Sequence, residues 1–215
     1  SKTHKIGLVS GMNMPMLLSL ALELTEEVTL EEAVKKAASQ ESWGINGTTF
    51  EKGEKKDVQN LVLTRIDDRL IHGQVMTAWI KNRKANQVVI IDDDVANDEY
   101  MIDVLEMAIP EEIAIGIFTK EDGVLFFSQG LDEPTILLVK GPEALNYLVD
   151  HGITIDEVDV GGMGARNDRS VLYKNISTSA QENEEFKQLL EKNVNVFIQV
   201  MPQDKPVSIA EYLKK

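Results

Sequence analysis

An alternation that begins near residue 60 is the strongest constraint on how this chain folds. Short runs rich in aliphatic and β-branched residues recur at Leu61–Thr64, Val88–Ile91, Ile113–Phe118, Thr135–Val139, Val158–Val160 and Val194–Val200. Helical patterns lie between most of them, at residues 74–83, 96–108, 120–128, 142–150 and 181–192, with a last short helix expected near 207–214. Strands that are apolar on both faces must be covered on both faces, and a helix between successive strands makes those strands parallel. The expected fold class is therefore α/β, a mostly parallel open sheet with helices on both faces. Ligands of such sheets sit beyond the C-terminal ends of the strands, so the loops that leave those ends are where chemistry is sought.

Ahead of the alternation, residues 6–9 (IGLV) read as a short strand, and Gly11-Met12-Asn13 turns into an apolar helix that tolerates Pro15 in its first turn. A second helix starts at Thr29, with Glu32 at the capping-box spacing, and runs to about Trp43. Residues 46–59 combine glycine, threonine and mixed charge without apolar periodicity, the composition of a solvated linker. The organisation expected is a small N-terminal strand-helix-helix appendage at 1–46, a linker at 47–59 and the main domain at 60–215. Lys2, His4 and Lys5 before the stretch Ile6–Leu24 imitate a secretory signal. Asn13 and Pro15 interrupt that stretch and Glu23, Glu26 and Glu27 follow it, so a buried strand and helix is the better account. No apolar run reaches the roughly 18 to 20 residues that cross a bilayer.

Composition removes several function classes. With 36 acidic against 22 basic side chains, the surface repels polyanions, so nucleic acid is not an expected partner and any anion site must be local. The absence of cysteine excludes disulfides, thiol catalysis and cysteine-ligated zinc, and fits a reducing, cytoplasmic setting.

The segment Arg65-Ile66-Asp67-Asp68-Arg69-Leu70-Ile71-His72-Gly73-Gln74-Val75 follows a strand and runs into a helix. A strand-to-helix loop offers free backbone amides and the favourable end of the helix dipole to an anion. Arg65 and Arg69 supply planar donors suited to phosphate oxygens. A neutral imidazole is a good nucleophile near neutral pH, and phosphohistidine keeps a bond that a further acceptor can attack. Gly73 lets backbone approach the phosphoryl group, and Gln74 offers an amide from the first helical turn. Asp67 or Asp68 can orient an arginine or cap the helix. The alternative on spacing alone is that His72 is an ordinary loop residue and the arginines pair with their aspartate neighbours.

The run RIDDRLIHGQV resembles the active-site loop of the enzyme IIB component of the mannose/fructose/sorbose family of sugar phosphotransferase systems. The similarity continues through Trp79, Val88–Ile91 with Asp92-Asp93, and Val158-Asp159-Val160-Gly161-Gly162-Met163, and so covers residues 60–215. The resemblance implies a phosphotransferase in which His72 carries the phosphoryl group through Nδ1, with Arg69 and Arg65 flanking it and Gly73 and Gln74 assisting. Asp68, Gly161, Gly162, Met163 and Arg166 are the supporting residues it suggests, with Arg169 a further candidate for holding phosphate. It implies a phosphorylated IIA domain as donor, membrane IIC and IID components and a hexose as the onward partners, and residence at the inner face of the membrane. No metal and no cofactor beyond the covalent phosphohistidine is expected, because arginine and amides can supply the positive charge.

The front segment Gly7–Leu17 with its two helices resembles the C-terminal end of a IIA component; the part bearing a donor histidine would lie upstream of Ser1. One way for residues 1–46 to complete a fold is to pair with another copy, which makes a homodimer a candidate assembly. The competing functional reading is a dinucleotide-binding oxidoreductase using Gly161–Gly164. That motif should open a helix, whereas Arg166–Ser177 reads as loop and strand. Asp92-Asp93-Asp94 reads as a turn and helix cap, and His151 as a structural residue at a helix end.

Overall fold

The computed structural model describes Lys5–Val9, Gly47–Glu51 and residues 58–213. The chain divides into two compact units, Ser1–Lys55 and Lys56–Lys215. In the first, β1 (Lys5–Val9) and β2 (Gly47–Glu51) pair antiparallel, with Lys5 opposite Glu51 and Val9 opposite Gly47. This corrects the linker expected at 47–59: its opening residues form a strand. Thr48-Thr49-Phe50 favour extended backbone, and a partner strand satisfies their amides and carbonyls. The two helices expected within residues 13–43 lie outside the described residues.

The second unit is built on a seven-stranded sheet. In chain order its strands are β3 (Leu61–Asp67), β4 (Gln87–Ile91), β5 (Ala114–Phe118), β6 (Thr135–Val139), β7 (Glu157–Gly162), β10 (Asn195–Ile198) and β11 (Val207–Ser208). In space they run β11-β10-β7-β3-β6-β4-β5, all parallel to their neighbours except β11, which is antiparallel to β10. A small antiparallel hairpin, β8 (Ser170–Tyr173) and β9 (Ile176–Thr178), stands apart. The helices are α1 (Gly73–Arg83), α2 (Asp93–Ala96), α3 (Glu99–Met107), α4 (Lys120–Ser128), α5 (Pro142–Asp150) and α6 (Ala180–Glu191). The expected helix near 207–214 is replaced by β11 and a single 3-10 turn at Ile209–Glu211. Val207 finds a ladder partner in Ile198, and Ile209 is buried without a longer apolar stripe behind it to sustain a helix.

From β3 the chain steps to β4 and β5 in one direction, then returns through β6, β7 and β10 in the other. With right-handed crossovers this sends α1 and α3 to one face and α4, α5 and α6 to the opposite one. Side-chain packing follows. Leu63, Val88, Ile90, Ile136 and Leu138 pack with Met76, Trp79 and Ile80 of α1 and Leu105 of α3. On the other face Gly123 of α4 lies so close to Ile91 that an added Cβ would meet its Cδ1 at 2.1 Å. β3 thus lies beside strands whose chains leave toward the opposite face, the switch point where open sheets form a crevice.

A charged cluster lies within this sheet. Arg65 is 1% exposed and faces the α1 side, its guanidinium 5.5 Å from the centre of the Trp79 ring. It bonds Asp159 on the adjacent strand β7, Asp67 two residues along (3.2 Å), and the carbonyls of Gln199 (3.0 Å) and Val200 (3.3 Å). The Trp79 indole N–H donates to the same Val200 carbonyl at 3.2 Å. The expectation that Arg65 touches phosphate is therefore corrected. It points sideways from mid-strand into the sheet's packed face, and its donors are taken. Burial pushes the Asp159 carboxyl up to about 7, against the pull of Arg65.

Replacing Arg65 with Met should leave buried Asp159 without its counter-charge and Asp67 with Arg69 alone, and cost about 3–5 kcal/mol, read by urea unfolding. Because the folded state holds a proton on Asp159 more tightly than the unfolded chain does, its contribution to stability is full below the ordinary aspartate range and is lost as pH rises through about 7. Stability measured from pH 5 to 8 should accordingly fall less in Asp159→Asn than in the parent.

Candidate functional site

At the C-terminal end of β3 the chain does not pass directly into α1. Leu70 adopts a positive φ of 55°, a conformation that costs a non-glycine residue roughly 1–2 kcal/mol. Its side chain is 4% exposed, and burying a leucine returns about 1.5–3 kcal/mol. The buried Leu70 anchors the loop while the backbone turns outward, so that His72, Gly73 and Gln74 are all exposed.

His72 occupies the N-cap position of α1, its own side chain making no capping bond. Its carbonyl accepts from the amides of Val75 (3.0 Å) and Met76 (3.3 Å), which starts the helix. The amides of Gly73 and Gln74, ahead of these, lie where a helix offers no internal acceptor. Gly73 has φ +31° and nothing within 4 Å of where a Cβ would stand, so the approach to this end of the helix is open. An exposed imidazole, two unclaimed amides and the positive end of an 11-residue helix are thereby brought together.

Arg69 joins them with a fixed orientation. Asp67, only 1% exposed, accepts from the Arg69 backbone amide at 3.2 Å, from Nε at 3.0 Å and from Nη2 at 3.2 Å. One edge of the guanidinium is thus clamped, while the side chain remains 45% exposed and its Nη1 has no acceptor among the described residues. The bond to Asp67 raises the Arg69 pKa further, and the charge is permanent. Asp67 is itself held from behind by Arg65, so the buried arginine supports the exposed one through a shared carboxylate. Sequence reasoning proposed such a role for one of the paired aspartates without deciding which.

The glycine run at the end of β7 is explained by close approach. A Cβ at Gly161 would lie 1.8 Å from the Arg65 guanidinium carbon, and one at Gly162 would lie 2.7 Å from an Asp67 carboxylate oxygen. These glycines make room for the two side chains that set the loop. After Gly162, Met163 is buried and bridges Ile176 of β9, and the chain enters the β8–β9 hairpin. No helix opens there, which corrects the dinucleotide-binding reading of Gly161–Gly164: the amide-rich helix start that a pyrophosphate needs is missing.

Asp68 points the other way. Its amide donates to the Gly162 carbonyl at 2.9 Å, and its Oδ2 accepts from the Gly164 amide at 2.7 Å and from Arg169 Nη1 at 3.0 Å. Arg169 is 2% exposed, so it too is withdrawn from phosphate contact, contrary to expectation. Arg166 is 54% exposed but forks onto Asp168 and reaches Glu182 at 3.3 Å; none of its described contacts is with the His72 loop. Of the expected residues, Arg69, His72, Gly73 and Gln74 are exposed within six consecutive positions of one loop and helix start. Arg65, Gly161, Gly162 and Met163 lie beneath it, and Asp68 braces its side.

The remaining acidic and histidine candidates resolve as structural features. Asp92 caps α2 by accepting from the Val95 amide at 2.9 Å. His151 ends α5, with Nδ1 2.7 Å from the Tyr147 carbonyl and its ring stacked on Tyr147 at 4.1 Å. Among the described residues no helix is long and apolar enough to cross a membrane.

Comparison with known proteins gives the family and the fold. The family model described as the PTS system sorbose subfamily IIB component matches residues 61–215. The fructose-specific EIIB component of Bacillus subtilis is 31% identical over 159 residues, which is 73% of this chain and 98% of that protein. The crystal structure of the IIB domain of the sorbose permease from Klebsiella pneumoniae superposes with a TM-score of 0.68 at 33% identity, covering 71% of this chain and 95% of that one. The front segment is matched as well: the mannose-specific EIIAB component of Escherichia coli aligns at 23% identity over 96% of this chain and 72% of its own length. The family match over residues 61–215, with relatives more than 30% identical along nearly their whole length and the same sheet, places the chain in the sorbose subfamily of phosphotransferase-system IIB components.

Proposed function

We propose that the chain carries a phosphoryl group on His72, taking it from a phosphorylated IIA component and giving it to a hexose that the membrane IIC and IID components present. The observation that carries this reading is the exposure of His72 at the start of α1, three residues after Arg69, whose guanidinium is clamped on one edge and open on the other. In the first step a ring nitrogen of His72 attacks the donor's phosphorus in line. The new nitrogen–phosphorus bond forms as the donor's breaks, and the donor imidazole is released. In the second step a sugar hydroxyl attacks the same phosphorus, the bond to His72 breaks, and the hydroxyl proton passes to the freed imidazole or to water.

Both steps move a phosphoryl group whose equatorial oxygens carry negative charge. The open edge of Arg69, the amides of Gly73 and Gln74 and the helix dipole supply preorganised positive charge for it. The reading needs neither a metal nor a diffusible cofactor. It requires the site to meet two partners in turn, which an exposed loop can do and an enclosed pocket cannot. The protein then works in the cytoplasm at the inner face of the membrane, held there by its IIC and IID partners.

Incubation with phosphorylated IIA should add one acid-labile phosphoryl group, located on His72 by peptide mapping, and His72→Gln should take up none. Label on another residue, or sugar phosphorylation by His72→Gln at the parent's rate, would sink the proposal. Arg69→Ala should slow transfer roughly 10²-fold, the cost of removing one preorganised charge. Its urea-unfolding free energy should fall less than that of the Arg65 variant, because Asp67 keeps Arg65.

A further inference from the structure

Two neighbouring aspartates leave β3 in opposite directions, and only the first is accounted for by its grip on Arg69. The second belongs to a chain of charges that starts at the N-terminus of α6. There Ser179 and Glu182 form a capping box: the Ser179 hydroxyl accepts from the Glu182 amide at 3.1 Å, and Glu182 Oε2 accepts from the Ser179 amide at 2.8 Å. Burial opposes charge on Glu182, yet its bonds to Arg169 and the Ser179 amide hold its carboxyl below the usual range.

The same carboxylate receives Arg169 in a fork, Nε at 2.9 Å and Nη2 at 2.6 Å. The other end of that guanidinium, Nη1, donates to Asp68 Oδ2 and to the Gly164 carbonyl, both at 3.0 Å. Asp68 is the residue before Arg69 and four before His72. Its side chain tethers this loop, through Arg169, to the α6 side of the molecule.

We propose that Arg169 is a positioning residue for phosphoryl transfer at His72, acting through Asp68 to fix the loop against the capped start of α6. The proposal rests on the reading of His72 as the phosphoryl acceptor. Arg169 is suited to the task and lysine is not. A planar fork carries donors on separate nitrogens and so reaches two carboxylates and a carbonyl at fixed angles, whereas an ammonium gathers its three donors on one atom and cannot reproduce that geometry. Removing the guanidinium leaves Asp68 and Glu182 facing each other without the cation between them, so the loop is pushed away from the scaffold. A displacement of about 1 Å at a reacting group costs on the order of 10²-fold in rate.

The test combines transfer kinetics with amide exchange on the full chain. Parent, Arg169→Met, Arg169→Lys, Asp68→Ala and the double variant Asp68→Ala with Arg169→Met are mixed with phosphorylated IIA, and the single-turnover rate of label appearing on His72 is followed. Arg169→Met should be at least roughly tenfold slower and Arg169→Lys also slowed, the lysine variant serving where the methionine variant fails to fold. The double variant should be no slower than the slower single variant, since both remove one connection. Amides from Arg69 to Gly73 should exchange faster in Arg169→Met while those of β4 and β6 keep their protection. Multiplying effects in the double variant would mean that Arg169 acts on the phosphoryl group independently of Asp68, and would overturn the proposal. A parent-like rate in both Arg169 variants, or loss of protection throughout the sheet, would overturn it too. A parent protein that takes no label on His72 overturns the functional reading itself, and is told apart from these by that single measurement.

Discussion

The site depends on a guanidinium that never reaches it. Arg65 lies over the Trp79 ring inside the sheet, bonded to Asp159 and to Asp67, and makes its further contacts with the carbonyls after β10. A lone carboxylate at the end of β3 would be too costly to bury. With Arg65 behind it, Asp67 turns its other edge to hold Arg69. The exposed arginine is then aimed without spending its own outer donors, and the backbone turn at Leu70 lifts His72 beside it. Buried charge here contributes geometry more than stability, since such pairs roughly break even against hydrophobic replacements.

The acidic character of the protein gives this local arrangement its purpose. With a net charge of −14, the surface as a whole repels anions, and only a spot with fixed donors opposes that field. Arg69, the amides at the start of α1 and the helix dipole provide such a spot, a few residues across. The two faces of the loop are secured differently: the Asp67 side by contacts buried within the sheet, the Asp68 side by an ion chain running through Arg169 to the capping box of α6. The same crevice arises from topology, because β3 stands next to strands whose chains leave in the opposite direction.

Much of the architecture was legible in the residues. Each apolar run became a parallel strand, Asp92 a cap and His151 a helix end, because these depend on period, propensity and local hydrogen bonding. The errors fall where a distant partner decides. Gly47–Glu51 reads as linker until a strand is placed beside it, and Val207-Ser208 reads as the start of a helix until β10 offers an edge. The glycines of β7 look like a phosphate loop in one dimension; in three they are the space into which Arg65 and Asp67 project.

The sequence alone determined the fold class, from the alternation of apolar runs and helical patterns beyond residue 60, and it marked the loop between the first sheet strand and the first helix as the place to look, because loops at strand C-terminal ends carry ligands. It could not rank the arginines, which have the same chemistry and lie within about a hundred positions of one another along the chain. Tertiary structure ranked them through burial: Arg65 and Arg169 are enclosed by carboxylates, and Arg69, three residues before His72, keeps an open edge. Which cation faces solvent is set by what packs behind it, and that is a property of strand order and not of spacing.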